Sequence, residues 1–224
     1  MRRRSLTTKE LHGLGPSDAH LSLEEGKALV QLARQAIKDY LITNKISKVP
    51  DELPPKLMRK SGVFVTLNLT KPTHELRGCI GFPYPGEPLA EATIKAAIYA
   101  AVEDPRFPPV TEKELGSSIV VEVTVLTPPI TVETKDRRTL PDLIEVGRHG
   151  LMMEGMGTSG LLLPQVAIEW KWDALEFLTN CCLKAGLPPD TWLLDDVEVK
   201  TFEGEIFAEI TPSGEIRRKA LGDA

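Results

Sequence analysis

An arginine and a cysteine lie two residues apart in the stretch LRGCIG, residues 76–81. Gly78 lies between them, and Gly81 follows the cysteine by two residues. At a rise of about 3.3 Å per strand residue, the Arg77 and Cys79 side chains would lie roughly 6.6 Å apart. A guanidinium at that range stabilises a thiolate and lowers its pKa, which makes the thiol a better nucleophile. The pattern therefore indicates Cys79 and Arg77 as a catalytic pair. The alternative is that Cys79 is a small buried apolar group, as most free cysteines are.

Arg77 has two interpretations of its own. Its guanidinium can bind a carboxylate or phosphate through two parallel hydrogen bonds, as in a ligand site. The alternative, which we favour, is a structural ion pair. Glu122, on the polar face of a strand predicted for the same sheet, is the expected partner.

Three further polar residues are candidates for cleft or substrate-binding positions. His74 lies five residues before Cys79 and would be a general base, although a turn residue usually points outward. His149 would contribute a second imidazole from the C-terminal half. Gln165, beside Pro164 at a predicted strand end, would provide a neutral hydrogen-bonding contact to a ligand.

The glycines and the other cysteines have simpler interpretations. Gly78 and Gly81 lack side chains, so a ligand or a neighbouring backbone can approach closely at those points. Cys181 and Cys182 lie on a predicted helix at apolar spacing and are expected to pack in the core.

A pair of strands must position the LRGCIG stretch. Val63, Val65 and Leu67 alternate with more polar residues, and only a short turn separates this strand from residues 76–81, so the two strands are predicted to form an antiparallel hairpin. Simple alternation then directs Leu76, Gly78 and Ile80 to the core and Arg77, Cys79 and Gly81 to the opposite face.

Helices and a third strand complete the N-terminal half. Ser22 followed by Glu25 is a capping box, which predicts a helix start, and the helix should end near Asn44. An alanine-rich helix is predicted over residues 89–103, ended by the prolines that follow. Residues 119–126 (IVVEVTVL) predict a strand.

The C-terminal half begins after a boundary at residues 127–129, TPP. We predict a short helix at 140–146, strands at 150–154 and 161–163, and a helix at 172–185. A final hairpin of 197–201 with 206–210 is expected to join the first sheet, and residues from 211 onward form a frayed tail.

Composition restricts the class of protein. The chain has 224 residues and a net charge of −5, with 42% hydrophobic and 26% charged residues, so neither nucleic acid nor an anionic membrane is an expected partner. There is no apolar run of the roughly 18 residues that a membrane helix needs, and no signal peptide is predicted. Three cysteines without a C-x-x-C spacing favour a reducing cytoplasm.

Cofactor and metal motifs give little support for either group. The sequence has no phosphate-binding loop of the G-x-x-x-x-G-K-S/T type, no H-E-x-x-H and no G-x-S-x-G. Four histidines scattered along the chain do not form a recognisable metal site. We therefore expect no cofactor and no metal.

Six segments of the chain together resemble the AMMECR domain family over roughly residues 22–210. They are LRGCIG (76–81), DPRFPP (104–109), VEVTVL (121–126), GRHGL (147–151), LLPQVA (162–167) and CLKAGL (182–187), the last followed by Trp192. The resemblance implies an α+β fold of two subdomains, each an antiparallel sheet flanked by helices, with LRGCIG facing a cleft between them. The corresponding division here is a flexible tail (1–20), a larger subdomain (21–128 with 196–210), a smaller subdomain (129–195) and a C-terminal tail (211–224).

Two functions from different classes follow from this resemblance. The first is an enzyme or modification factor that uses Cys79 and Arg77 in the cleft on a protein, peptide or metabolite. The second is a non-catalytic binding module whose cleft holds a peptide or partner protein. Family members are found fused to, or encoded beside, Memo-like and radical-SAM proteins, so such a protein is the expected partner by association.

Overall fold

The structure is a computed structural model that describes residues 20–70 and 74–219. The predicted N-terminal tail, apart from its last residue, and the end of the predicted C-terminal tail lie outside the described residues. The described chain forms helices and two antiparallel sheets, so the predicted α+β class is confirmed.

The first sheet has five strands in the order β2-β1-β3-β8-β9, and each neighbouring pair is antiparallel. The predicted hairpin of the first two strands is confirmed, and Val63, Val65 and Leu67 are fully buried on one face. The strands are β1 (Gly62–Leu69), β2 (Leu76–Phe82), β3 (Ile119–Leu126), β8 (Gly204–Glu209) and β9 (Ile216–Lys219).

Helices cover the buried face of this sheet. Helix α1 (Leu23–Thr43) begins at the predicted capping box, in which Ser22 and Glu25 satisfy each other's backbone amides, and it ends at Asn44. Helix α2 (Leu89–Val102) is the predicted alanine-rich helix, and small side chains let it approach the sheet closely. A short helix, α3 (Glu112–Ser117), precedes β3.

The second sheet has four strands in the order β4-β7-β5-β6. Leu151, Met153 and Val199 on one face pack with Phe177 and Leu178 of a helix into a separate core. The strands are β4 (Ile130–Thr131), β5 (Gly150–Gly155), β6 (Thr158–Leu162) and β7 (Glu198–Phe202); the helices are α4 (Pro164–Trp170) and α5 (Ala174–Lys184), with 3₁₀ turns at Arg137–Leu143 and Thr191–Leu193.

The pairing of strand β7 differs from the predicted C-terminal hairpin. It pairs with β4 and β5 in the second sheet, whereas β8 pairs with β3 in the first, so the hairpin of 197–201 with 206–210 is wrong. The chain passes from one sheet to the other at Glu203, and not near residues 195–196. The chain first leaves the first sheet at Thr127, after β3. This point lies beside Glu203, because the amide of Thr127 donates to the Glu203 carbonyl and the Glu203 amide donates to Thr127 Oγ1.

The predicted frayed tail after residue 211 is also wrong in part. Residues 216–219 form β9, in which Ile216 is buried. Arg218 pairs with the buried carboxylate of Glu205 at 2.6 Å and lies over the Phe207 ring. Two charged side chains that appear as a solvated tail in the sequence, Arg218 and Lys219, therefore pair with acids of the first sheet.

Local details of the C-terminal half differ from expectation as well. The helix predicted at 140–146 is a 3₁₀ turn ending at Leu143, with Pro141 inside it, and α4 was not predicted. Residues 155–160 have the G-x-G-x-x-G spacing, but they run from the end of β5 through a two-residue turn into β6. A dinucleotide-binding loop would instead connect a strand to a helix.

A third, small apolar cluster joins the two sheets. Leu126, Met152 and Phe202 are buried in it, and Phe64 and Leu161 pack against it. Among the described helices, none combines the length and apolarity needed to cross a membrane.

Candidate functional site

A β-bulge interrupts the alternation of β2 at the start of LRGCIG. Leu67 pairs with Gly78, but the next residue of β1, Asn68, pairs with Leu76, so Arg77 is an extra residue on β2. Leu76 consequently faces away from the core and is 38% exposed, which corrects its predicted core position. Cys79 pairs with Thr66 on that same outer face.

Arg77 is buried and engaged in a structural ion pair. Its Nε donates to Glu114 Oε1 at 3.2 Å, and its Nη1 and Nη2 donate to the carbonyls of Pro108 and Pro109 at 2.9 and 3.5 Å. The predicted partner was wrong, because Glu122 instead pairs with a lysine of β9 at 3.2 Å. The bulge turns the guanidinium toward α3, and a two-residue period cannot reveal this.

Other parts of the protein occupy the space where a side chain would lie at the two glycines of LRGCIG. A Cβ on Gly78 would lie 2.1 Å from the Ala100 carbonyl of α2, and a Cβ on Gly81 would lie 2.2 Å from the Phe64 ring. At Gly78 the close approach is that of a neighbouring backbone, one of the two predicted alternatives, whereas at Gly81 it is that of an aromatic side chain.

Cys79 is half-buried on the outer face, and Thr66 Oγ1 donates to its Sγ at 3.3 Å. Burial raises the pKa of the thiol, while the Thr66 hydrogen bond and the Arg106 charge oppose that rise in pKa. Asp104 and Glu122 raise the pKa further by repelling a thiolate. The net direction is upward from an ordinary value near 9, so the thiol is protonated at neutral pH.

Asp104 and Arg106 hold the backbone of β2 at Cys79. Asp104 Oδ2 accepts from the Cys79 amide at 2.9 Å, and Arg106 Nη2 donates to the Cys79 carbonyl at 3.2 Å. Hydrogen bonds from Arg106 hold the pKa of the buried Asp104 carboxyl well below its usual range. The pair satisfies backbone groups that an edge strand otherwise leaves open.

Sequence reasoning missed this role of residues 104–109. The prolines of DPRFPP were interpreted only as the end of a helix. The signal that could have revealed the role is an acid and a base two residues apart in a proline-rich segment, which holds two opposite charges in a rigid backbone. The structure shows that the segment receives Arg77 and Cys79 of LRGCIG, so these two motifs are parts of one site.

The remaining candidates lie at different places. His74 precedes β2 with a left-handed backbone (φ 46°), and Gln165 lies in the first turn of α4. His149 Nδ1 accepts from the Glu145 amide at 3.1 Å. His149 lies in the second unit, which is the second sheet with the helices and turns that pack on it. No hydrogen bond described for these three side chains joins them to Cys79, and their functional roles stay predictions.

Cys181 and Cys182 are fully buried in the core of the second unit, as predicted. Burial raises the pKa of Cys181 to about 12. Within residues 20–70 and 74–219, there is no group of three or more His, Cys, Asp or Glu side chains that could hold a metal ion.

The sheets meet around a cavity of about 10 Å³ whose lining includes Pro83, Leu126 and Phe202 but not Cys79. The cleft between two subdomains stays a prediction.

These features define an α+β protein with two antiparallel sheets. The chain crosses between the sheets at two neighbouring points, and the Asp104–Arg106 pair holds the cysteine-bearing edge strand of the first sheet. The family model described as AMMECR1 matches residues 30–207. The chain therefore belongs to the AMMECR1 family, and the resemblance noted in the sequence is confirmed.

Archaeal proteins are similar to the chain over most of its length. A protein of Pyrococcus furiosus is 56% identical over 200 residues, which cover 88% of this chain and 94% of that protein. A protein of Methanopyrus kandleri is 50% identical over 205 residues, covering 91% and 97%. The crystal structure of an uncharacterized protein from Pyrococcus horikoshii matches with a TM-score of 0.76 at 56% identity, covering 88% of this chain and 98% of that one.

Proposed function

We propose that this AMMECR1-family protein is a non-catalytic binding module. Its binding surface is the outer face of the first sheet around Cys79, within the predicted cleft, and its ligand is a peptide or a segment of a partner protein. A Memo-like or radical-SAM protein, suggested by family association, is the first partner to test.

The observation that carries this proposal is the environment of Cys79. The thiol has a raised pKa because it is half-buried, and the guanidinium expected to activate it binds Glu114 and Pro108 instead. A protonated thiol is a poor nucleophile. It remains a suitable small, polarisable contact in a binding surface.

The surrounding face has the mixed character of a recognition surface. Leu76 provides an exposed apolar contact, and Thr66 and Asn68 provide half-buried polar ones. The Glu122–Lys219 ion pair borders this surface and adds both signs of charge. Such a mixture of apolar and polar groups is typical of non-obligate interfaces.

The alternative is an enzyme or modification factor with Cys79 as nucleophile. One observation favours it, since the Thr66 hydroxyl and the Arg106 guanidinium both stabilise a thiolate. Arg106, and not Arg77, would then be the activating group. The two functions differ in how readily the thiol ionises.

The rate of alkylation of Cys79 by iodoacetamide separates the two functions. A binding surface predicts alkylation slower than that of a free thiol at neutral pH, with a rate that still rises above pH 9 as the thiolate forms. Cys79→Ser provides the background, because Cys181 and Cys182 are buried. A rate that reaches its plateau below pH 7 would support the enzyme and reject the binding module.

Occupancy of the face can be measured with the same thiol. Addition of a purified Memo-like or radical-SAM partner should protect Cys79 from alkylation. Asn68→Arg places bulk on the outer face and should remove that protection, whereas Gln31→Arg, on an exposed position of α1, should keep it. Equal protection in both variants would place the contact elsewhere.

A further inference from the structure

Two stacked tryptophans, of which Trp170 is exposed and Trp172 is half-buried, lie at the end of α4. The Trp170 and Trp172 rings are 6.0 Å apart between centroids and 18° from parallel. Trp170 is 67% exposed, whereas Trp172 packs partly against the second core. A tryptophan face this open is uncommon, because burying such a ring removes a large apolar area from water.

The end of α4 holds this pair in place. The Trp172 amide donates to the Ala167 carbonyl and the Lys171 amide to the Ile168 carbonyl, the pattern of a Schellman motif. Lys171 has a left-handed backbone (φ 56°), which a side chain disfavours. The Schellman motif therefore fixes the backbone that carries the two tryptophans, and the stacked Trp172 ring contacts one face of Trp170.

Other exposed apolar side chains flank the pair. Ile168 is 43% exposed, and its Cδ1 lies 3.2 Å from where a Cβ on Gly147 would be. Val146, beside that glycine, is 37% exposed. We call Val146, Ile168, Trp170 and Trp172 the tryptophan patch.

The charges around the tryptophan patch are mostly negative. Residues 142–149 and 168–176 carry five acidic side chains and two basic ones, all of them exposed. One of the two bases, Arg148, is already paired with Glu145 and with Glu203, which leaves four acids and one base in these ranges outside that pairing. The field over the patch therefore favours a cation, and an indole face also attracts a cation through its negative quadrupole.

We propose that the tryptophan patch docks a basic segment of a partner protein. A lysine or arginine of that segment lies over the open face of Trp170, and apolar side chains beside it contact Ile168 and Val146. The surrounding carboxylates accelerate the encounter and exclude acidic segments. This surface is independent of the proposed Cys79 face, so either can fail without the other.

Isothermal titration calorimetry with two synthetic amphipathic peptides tests the proposal. The peptides have equal length and leucine spacing, and they differ only in carrying lysine or glutamate at the polar positions. The full chain should bind the lysine peptide and not the glutamate peptide. Trp170→Ala should weaken lysine-peptide binding by about fivefold to tenfold, the range of a partly desolvated cation–π contact. Trp170→Phe should retain part of the affinity.

Ile130→Ala is the matched control, because Ile130 is an equally exposed apolar residue of the second unit, at 71%. It should leave the affinity within about twofold, as a surface change away from a contact does. Equal binding of both peptides, or affinity unchanged in Trp170→Ala, would overturn the proposal. Concentration-dependent dimerisation that disappears in Trp170→Ala would also overturn it, since the occupant would be a second copy of the chain.

Discussion

Asp104→Asn is expected to destabilise the protein strongly at neutral pH. Asp104 Oδ1 accepts from the backbone and Nε of Arg106, and its Oδ2 accepts from Arg106 Nη2 and the Cys79 amide. An asparagine presents one oxygen and one NH₂ group, so in either orientation two donors face another donor. Hydrogen bonds to a charged group contribute about 1.5–3 kcal/mol each. Because one side of Arg106 is open to solvent, we expect a total loss of about 3 kcal/mol in the free energy of unfolding.

The loss should depend on pH in a defined direction. The folded pKa of Asp104 lies below its ordinary value of 3.8, so the carboxylate stabilises the fold fully above that value. The stabilisation disappears as the pH falls from about 4 toward the folded pKa, because the native carboxylate must then be protonated. Urea titrations at pH 7 and pH 3 should therefore show a large difference between parent and variant at pH 7 and a smaller one at pH 3.

Asp136→Asn is a matched control within the same chain. Asp136 makes the same three bonds to Arg138 that Asp104 makes to Arg106, at 3.1, 2.9 and 2.8 Å, but both partners are exposed. An exposed pair contributes little, so the variant should resemble the parent at both pH values. A loss below about 1 kcal/mol for Asp104→Asn at pH 7, or a loss that does not change with pH, would refute the role assigned to this clamp.

Three further substitutions, one of them with a control variant, test the packing of the site and of α4. Gly78→Ala should destabilise by about 3 kcal/mol in urea titration, since its Cβ would overlap a carbonyl of α2; Gly116→Ala, with open space around it, should be neutral or slightly stabilising. Arg77→Lys should lower the unfolding free energy by about 1–3 kcal/mol, because a lysine cannot donate to Glu114 and both proline carbonyls at once, and it should leave the Cys79 alkylation rate unchanged; a changed rate would show that Arg77 acts on the thiol. Lys171→Gly should raise the unfolding free energy by about 1 kcal/mol, because glycine adopts the left-handed backbone without strain, and a decrease would contradict the strain inferred there.

Elements with strong local signals were predictable from the sequence. The capping box at Ser22 determines where α1 begins, and the alternation of Val63, Val65 and Leu67 determines the buried face of β1. Both signals arise from residues that are neighbours in the chain. Their outcome depends little on what the rest of the protein does.

The environment of Arg77 could not be predicted in the same way. The guanidinium at the bulge binds two proline carbonyls and an acid that lie 31 to 37 residues later in the chain, and no period within β2 contains that information. The place of β7 in the second sheet could not be predicted for the same reason, because its pairing partners β4 and β5 are distant in the chain. Only the reciprocal bonds between Thr127 and Glu203 show that two crossings run side by side.

The packing around LRGCIG distinguishes Cys79 from its neighbours in that stretch. Arg77 is occupied by Glu114 and the proline carbonyls, Gly78 admits the backbone of α2, and Gly81 admits the Phe64 ring. Each of these residues is required by the fold, because a different side chain would leave a buried charge unpaired or overlap a neighbour. Cys79 differs from them, since its thiol faces the outer side of the sheet and only its backbone is held by the clamp. A thiol-dependent function of this face would therefore involve Thr66 and Arg106, which both stabilise a thiolate at Cys79, and not the predicted Arg77–Cys79 pair.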